Sequence, residues 1–409
     1  MKLLQVDTVE EAKFKMDHHF DSLKLNMEEI EILHGLGRIA AEDVYAPFEL
    51  PEFNRSTVDG YALISKDTFG ASESIPVFLE VLGYVEMGKA TDLRVKAGTA
   101  VYVPTGGMIP EGADGVVMIE YVEQLDSQTI AVHRPAAPGD GMIHRGEDLK
   151  IGDKIITKGR RIKPQDIGAL AAVGINRIKI MEKPRVAVLS TGDEIVDPME
   201  DVQFGKIRDI NTYSLAAMVD QLGGNVTFKA VVKDDYELLR KTIESVIEDN
   251  HMVIISGGSS VGTKDVTANV IDSMGKPGVF VHGVAVKPGK PTIIGKTGNT
   301  AVFGLPGHPV SAIIVFKVFV EYLINRITEQ ELNGNIAIQA VSDVNIHSSP
   351  GKETYQMVVI EEIDGSYVAK PIHGKSGAIS LMTRAQGYIK IDTNKEGIKK
   401  GEKVKVILL

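Results

Sequence analysis

His251-Met252-Val253-Ile254-Ile255-Ser256-Gly257-Gly258-Ser259-Ser260-Val261-Gly262 is the stretch whose reading decides the fold. Its first half is an unbroken apolar run, too short for a helix, which suits a strand buried on both faces of a parallel sheet. Its second half is a glycine-rich turn. In such a turn consecutive backbone N–H groups converge on an anion, and short hydroxyls line the same space. Gly257, Gly258, Ser259, Ser260 and Gly262 are therefore candidate phosphate ligands. A plain strand–helix turn uses the same residues, so the surroundings must discriminate.

Two more sharp loops follow strand-like runs in this region. Thr191-Gly192-Asp193-Glu194 comes after 185–190, and Leu305-Pro306-Gly307-His308-Pro309 comes after 300–304. Loops at the carboxyl ends of strands in an open α/β sheet gather at one ligand crevice. The alternation over 183–329 predicts a three-layer α/β domain with a mostly parallel sheet. Its strands are expected at 226–232, 251–256 and 279–286, with a hairpin over 291–304. Helices are expected over 212–222 with Asn211 as cap, 236–249, 265–274 and 309–327.

Working outward, Thr8-Val9-Glu10-Glu11 forms a capping-box pattern that starts a helix to about Phe20, and 27–36 reads as a second helix. Short alternating runs separated by glycine turns fill 47–143, a β-rich lobe inserted into an N-terminal helical region made of 1–46 and 144–182. Pro164 suits the first turn of a helix over 164–173. From 330 to 409 the texture is again short strands, with a hairpin across Asp364-Gly365, which suggests a small β barrel. The fold class is thus multidomain α/β plus β.

The chain has 409 residues, 43% hydrophobic and 24% charged, the profile of an ordinary globular protein. Its net charge of −10 argues against nonspecific nucleic-acid binding, which needs a basic footprint. There are no cysteines, so thiolate nucleophiles and sulfur-ligated metals are excluded. Histidines are few and no pair has ligand spacing on a helix, which leaves carboxylates holding a hard cation, with Mg²⁺ the natural choice. The first ten residues lack a signal-type apolar region, and no run reaches the roughly 20 apolar residues of a membrane span. The expectation is a cytoplasmic protein with no membrane partner.

Asp193 and Glu194, Asp234 with Asp235, and Asp265 each follow a strand of the α/β region. Each alone is a solvated turn or helix cap as readily as a site; Asp235 and Asp265 have the position of N-caps. Their shared address beside one phosphate turn suits Mg²⁺ bridging carboxylates and phosphate oxygens, with Glu194, Asp234 and Asp265 as metal ligands. Lys287-Pro288-Gly289-Lys290-Pro291 fixes two ammonium groups with prolines, a pattern suited to an anion. Pro306, Gly307 and Pro309 bring a helix start to the same crevice. Farther away, 54–62 is a polar cluster containing Asp59-Gly60, and Thr105-Gly106-Gly107 and 145–148 are polar turns.

Taken in order, Arg55–Ala62, Pro104–Gly107, Arg145–Asp148, Thr191–Glu194, Gly257–Gly262, Lys287–Pro291 and Leu305–Pro309 resemble the molybdopterin molybdenumtransferase family, which includes the E domain of gephyrin. The resemblance covers essentially the whole chain. It implies a Mg²⁺-dependent reaction of adenylated molybdopterin with molybdate, giving molybdenum cofactor and AMP. It implies a homodimer whose cleft joins the central domain of one subunit to the N-terminal lobes of the other, contact with the pathway's adenylyltransferase, and acceptor molybdoenzymes. By motif match, Asp59, Asp148, Glu194, Asp234 and Asp265 are the functional acids, and Thr105, Lys287 and Lys290 lie near the anions.

Departures from the family pattern are Val58, Ile210, Ser259, Val266 and His308, the last at a position usually asparagine. None removes a carboxylate or a glycine. Two other readings compete. A non-catalytic molybdopterin scaffold can lose its acids, yet all five are present here. The adenylyltransferase is expected to consist of the central domain alone.

Overall fold

The computed structural model describes residues 6–257, 266–330 and 336–409. At its centre is a six-stranded sheet. Its elements, in chain order, are β1 (Arg185–Thr191), α1 (Asn211–Gln221), β2 (Asn225–Val232), α2 (Tyr236–Val246), β3 (Met252–Ser256), α3 (Val266–Ser273), β4 (Pro277–His282), β5 (Ile293–Thr297), β6 (Thr300–Leu305) and α4 (Pro309–Val315). The strand order is β2-β1-β3-β6-β5-β4. Strands β2, β1, β3 and β6 are mutually parallel, and β5 runs antiparallel to both neighbours.

The apolar runs produce this sheet because both its faces are covered. Val186, Val188, Met252 and Ile254 pack into one core, and Ala187, Leu189, Val253 and Ile255 into another on the opposite face. Alternate residues of a strand point to opposite sides, so a run without polar interruptions satisfies both layers. Helix α2 closes one face through Leu239, Ile243 and Val246, and Asp235 accepts its cap hydrogen bond from Leu238 N–H. Helix α4 continues through a π-helical turn, Phe316–Val320, into Glu321–Ile327, so the expected long helix is present with one wide turn inside it.

Helix Val9–His19 starts with the expected capping box of Thr8 and Glu11. The expected helix over 27–36 is not formed. Met27–Glu31 is a strand, followed by a 3₁₀ turn at Ile32–Gly35. The strand pairs antiparallel with Arg177–Met181, setting Glu29 opposite Lys179 and Glu31 opposite Arg177. Arg177 also reaches the Glu29 carboxylate at 3.2 Å. Packing of Ile30 against buried Ile178 and Ile180, with exposed charge pairs beside it, outweighs the helix preference of glutamate and methionine, a long-range effect invisible to local reading.

The β-rich lobe is a second six-stranded sheet with cores on both faces, around Leu63 and Ile130 on one side and Val101 and Val103 on the other. The C-terminal region closes into a small barrel, because Glu353–Ile363 pairs with both Ser366–Pro371 and Gly387–Ile391. Its hairpin turns at Asp364 and Gly365, with φ of 50° and 73°, the left-handed pair that a two-residue turn requires. The strand Gly387–Ile391 and the short helix Ser380–Arg384 were not expected from sequence. The run expected as one strand over 279–286 is split: β4 ends at His282, and Val286–Lys287 instead joins the barrel sheet beside Glu353 and Thr354. Among the described residues no helix is long and apolar enough to cross a membrane.

Candidate functional site

Strands β1 and β3 are neighbours, but the chain leaves β1 toward β2 and leaves β3 toward β6. A crevice opens at such a switch point, at the carboxyl ends of the strands. Here it is a cleft of about 890 Å³. Of the residues singled out in the sequence, Thr191, Asp193, Glu194, Asp234, Gly257, Pro306, Gly307 and Pro309 line it, and Gly192 lies within the same acidic turn. The loops after β1, β2 and β6 therefore meet beside Gly257 at the end of β3, as the strand order requires.

Gly257 is where the geometry is tightest. Its φ is 110°, and a Cβ there would collide with the Thr191 carbonyl oxygen and stand 2.9 Å from Thr191 Oγ1. Only glycine lets the turn lie against the end of β1. Gly258, Ser259, Ser260, Gly262 and Asp265 lie outside the described residues.

The acidic side of the cleft is electrostatically crowded. Burial pushes the Asp234 carboxyl above its ordinary value, the neighbouring Thr191 hydroxyl draws it back, and Asp193 and Glu194 push it up again, with a net rise. Carboxylates held this close favour a bound cation, and an all-oxygen donor set fits a hard one. Among the described residues no three such side chains already stand at metal-holding distance.

A second polar network braces the opposite wall. Asp209 is buried, and its Oδ1 accepts from Ser190 Oγ at 2.9 Å and from Thr212 N–H at 3.2 Å. It therefore holds the first turn of α1. Asn211, expected as that helix's cap, is instead its first residue and points across the cleft floor. Its Nδ2 donates to Ser256 Oγ and to the Gly307 carbonyl, both at 2.8 Å. Ser256 Oγ in turn donates to the Pro306 carbonyl at 3.2 Å. Aspartate two residues upstream satisfies the helix terminus, so the asparagine is free to do something else.

The other predicted site residues lie elsewhere. Asp59 Oδ1 accepts from Thr105 N–H at 2.9 Å, tying two polar turns of the β-rich lobe together. Asp148 donates its N–H to the Leu50 carbonyl at 3.0 Å, where the lobe rejoins the N-terminal region. Lys287 Nζ donates to Ser349 Oγ of the barrel at 2.9 Å. Lys290 is exposed and adjoins Pro291, which lines the cleft. None of these five is among the residues lining the cleft.

Three family models match: the MoeA N-terminal region (domain I and II) over residues 7–174, a "Probable molybdopterin binding domain" over 187–326, and the MoeA C-terminal region (domain IV) over 339–409. The chain belongs to the MoeA family. A molybdopterin molybdenumtransferase of Staphylococcus aureus is 30% identical over 374 residues, 91% of this chain and 89% of that protein. One from Staphylococcus epidermidis is 29% identical, covering 100% of this chain and 96% of that protein. Two crystal structures of molybdopterin biosynthesis MoeA proteins from Pyrococcus horikoshii superpose with TM-scores of 0.83 and 0.79, at 39% and 29% identity, and each covers 99% of this chain.

In this MoeA chain the sequence reading missed Asp209, Asn211, Ser311 and Gly377 as cleft residues. An aspartate and asparagine two apart at a helix start was the available signal for the first two. Gly377 had none, because it comes from the barrel. Its neighbour Ser376 accepts Val310 N–H through its carbonyl at 3.1 Å and holds His308 Nδ1 through its hydroxyl at 2.7 Å. The barrel thus supplies part of the cleft wall, and His308, the departure from the family pattern, sits at that seam.

Proposed function

We propose that this chain is a molybdopterin molybdenumtransferase, which combines adenylated molybdopterin with molybdate and releases molybdenum cofactor and AMP. The observation that carries the reading is the convergence of an acidic turn, Gly257 and a proline-flanked helix start at one switch-point cleft, in a chain that matches transferases of this family along its whole length. Cleaving a phosphoanhydride needs charge neutralisation and positioning more than a covalent nucleophile. The absence of cysteine is no obstacle, because the dithiolene sulfurs that accept molybdenum belong to the substrate.

In this reading the turn that begins at Gly257 holds phosphate oxygens through backbone N–H groups. Glu194, Asp234 and Asp265 would hold Mg²⁺, which when bound offsets negative charge on the phosphate oxygens. Pro306, Gly307 and Pro309 shape the wall that orients the substrate. Asp59, Thr105 and Asp148 belong to lobes that do not line this cleft, so we infer a homodimer in which the partner subunit's lobes complete it. The same reading places the reaction in the cytoplasm, between an adenylyltransferase that supplies the substrate and molybdoenzymes that accept the product.

The test mixes purified protein, adenylated molybdopterin, molybdate and Mg²⁺, and follows AMP release. AMP formation that requires both molybdate and Mg²⁺ is expected. Tight substrate binding without AMP release would make the chain a scaffold instead. Light scattering on the purified protein checks the dimer, and a monomer that turns over at full rate would remove the partner's lobes from the site.

A further inference from the structure

Asn211 has more hydrogen-bonding capacity than the fold uses. The residue is 6% exposed and lines the cleft. Both of its identified contacts are made by the amide nitrogen. That assignment is not interchangeable. The Gly307 carbonyl is an acceptor only, so the atom facing it must be the NH₂ group. Ser256 agrees, since its hydroxyl hydrogen is directed to the Pro306 carbonyl and its lone pair is left for Asn211. The amide oxygen is therefore turned away from both partners, and Oδ1 is buried with no hydrogen-bond partner.

A buried acceptor without a donor leaves its desolvation uncompensated. Buried side-chain amides in native proteins are normally satisfied, and an exception calls for an explanation. Here the exception belongs to a residue that holds the Gly307 loop, the end of β3 and the start of α1 in one place. Carboxylates and phosphate oxygens offer Oδ1 nothing, because they carry no proton. It needs a donor, and an exocyclic N–H on a planar heterocycle is one that the proposed substrate carries.

We propose that Asn211 Oδ1 accepts a hydrogen bond from an amino N–H of the substrate's heterocycle when the cleft is filled. The proposal rests on the function proposed above, whose substrate carries two such groups, one on the pterin and one on the adenine. It divides the cleft into a carboxylate side for cation and phosphates and an Asn211 side for a base edge. By this assignment Asn211 is a binding residue that also positions the Gly307 loop.

The experiment uses the full chain and two pairs of probes: 6-hydroxymethylpterin with its 2-dimethylamino analogue, and AMP with N6,N6-dimethyl-AMP. Each is titrated by calorimetry into wild-type protein, Asn211→Ala and Ser256→Ala. Wild type should discriminate against one dimethylated probe by roughly tenfold to a hundredfold, the range a single buried hydrogen bond gives. Asn211→Ala should lose that discrimination while both members of the pair still bind. Ser256→Ala leaves Oδ1 in place and should keep it. Asn211→Leu, close to asparagine in volume, is run alongside: it removes the acceptor without opening room for the methyl groups, so discrimination must be lost there as well.

The pair that responds identifies the pterin or the adenine as the donor. Equal affinities within both pairs in wild type, discrimination that survives Asn211→Ala, or no measurable binding of either parent probe to wild type would each overturn the proposal. The wild-type arm stands even if the alanine variant misfolds. AMP release by wild type is measured alongside: turnover without discrimination removes only the Asn211 assignment, whereas absence of turnover removes the reading beneath it.

Discussion

Gly257→Ala tests whether the turn after β3 is built for close approach. At φ of 110° an alanine is strained wherever it sits, and here its Cβ would run into the Thr191 carbonyl oxygen. Backbone cannot rotate aside as a side chain does, so the turn and the end of β1 must separate by about 1 Å to restore ordinary contact near 3.5 Å. The strain of such a residue is about 1–3 kcal/mol, against a total stability of roughly 5–15 kcal/mol for a domain. The variant should therefore fold, with a melting temperature lowered by several degrees. Activity is the more sensitive quantity, because a displacement of about 1 Å at a positioning group costs on the order of a hundredfold in rate. Gly298→Ala is the control: its φ is 58°, and nothing lies within 4 Å of the added methyl in the β5–β6 turn. It should share the conformational penalty and keep full activity. AMP release measured beside thermal melts decides the matter. If Gly257→Ala turns over at the wild-type rate, or if Gly298→Ala falls equally far, the close approach has no functional meaning.

Asp234 should make stability depend on pH in the direction opposite to most carboxylates. Its folded value is raised, so its favourable contribution is complete below the unfolded value and is lost as pH rises through the folded one. Asp234→Asn should therefore melt higher than wild type near neutral pH without Mg²⁺, and the difference should close in acid; calorimetry across pH 3–8 in about one-unit steps reads both. Asp59→Ala should abolish AMP release while leaving the circular dichroism spectrum unchanged, and it removes the acceptor for Thr105 N–H. Wild-type turnover in that variant would release Asp59 from its proposed role. Lys287→Ala should raise the molybdate concentration needed for half-maximal rate, whereas Ser349→Ala, which removes only the hydroxyl that Lys287 holds, should not. Identical molybdate curves for wild type and Lys287→Ala would place the oxyanion elsewhere.

The sheet was legible because its signals are local. Met252 to Ile255 is apolar without alternation, the turn after it is glycine-rich, and the strand was found where expected. The capping box at Thr8 and the Asp364-Gly365 hairpin are equally local, and both formed. What escaped depends on partners distant in sequence. Met27–Glu31 carries helix-forming residues and becomes a strand because Arg177–Met181 offers it a pairing edge and an apolar cluster for Ile30. Gly387–Ile391 is short and acquires its role only by closing the barrel between Glu353–Ile363 and Lys403–Leu408. At the site the acidic turn and the proline loop were visible as strand-end loops. Asn211 was read as a cap because asparagine at a helix start usually is one; Asp209, already bonded to Thr212, had taken that task.

The chain's charge bears on how such a cleft could work. With a net charge of −10 and Asp193, Glu194 and Asp234 along one wall, that wall repels the polyanion proposed as the substrate. Backbone N–H groups at the Gly257 turn carry partial charges only, and Val310 N–H at the start of α4 is already engaged by Ser376. The guanidinium of Arg208 also lines the cleft and offsets part of that repulsion, and the proposed Mg²⁺ would offset more. By thermodynamic reciprocity, whatever the cation adds to substrate affinity the substrate adds to cation affinity. Burial, and after it the charges of Asp193 and Glu194, raise the Asp234 carboxyl, and the same charges favour the Mg²⁺ proposed to bind there. An ion that relieved the carboxylates at the ends of β1 and β2 would be the same one that favours the diphosphate.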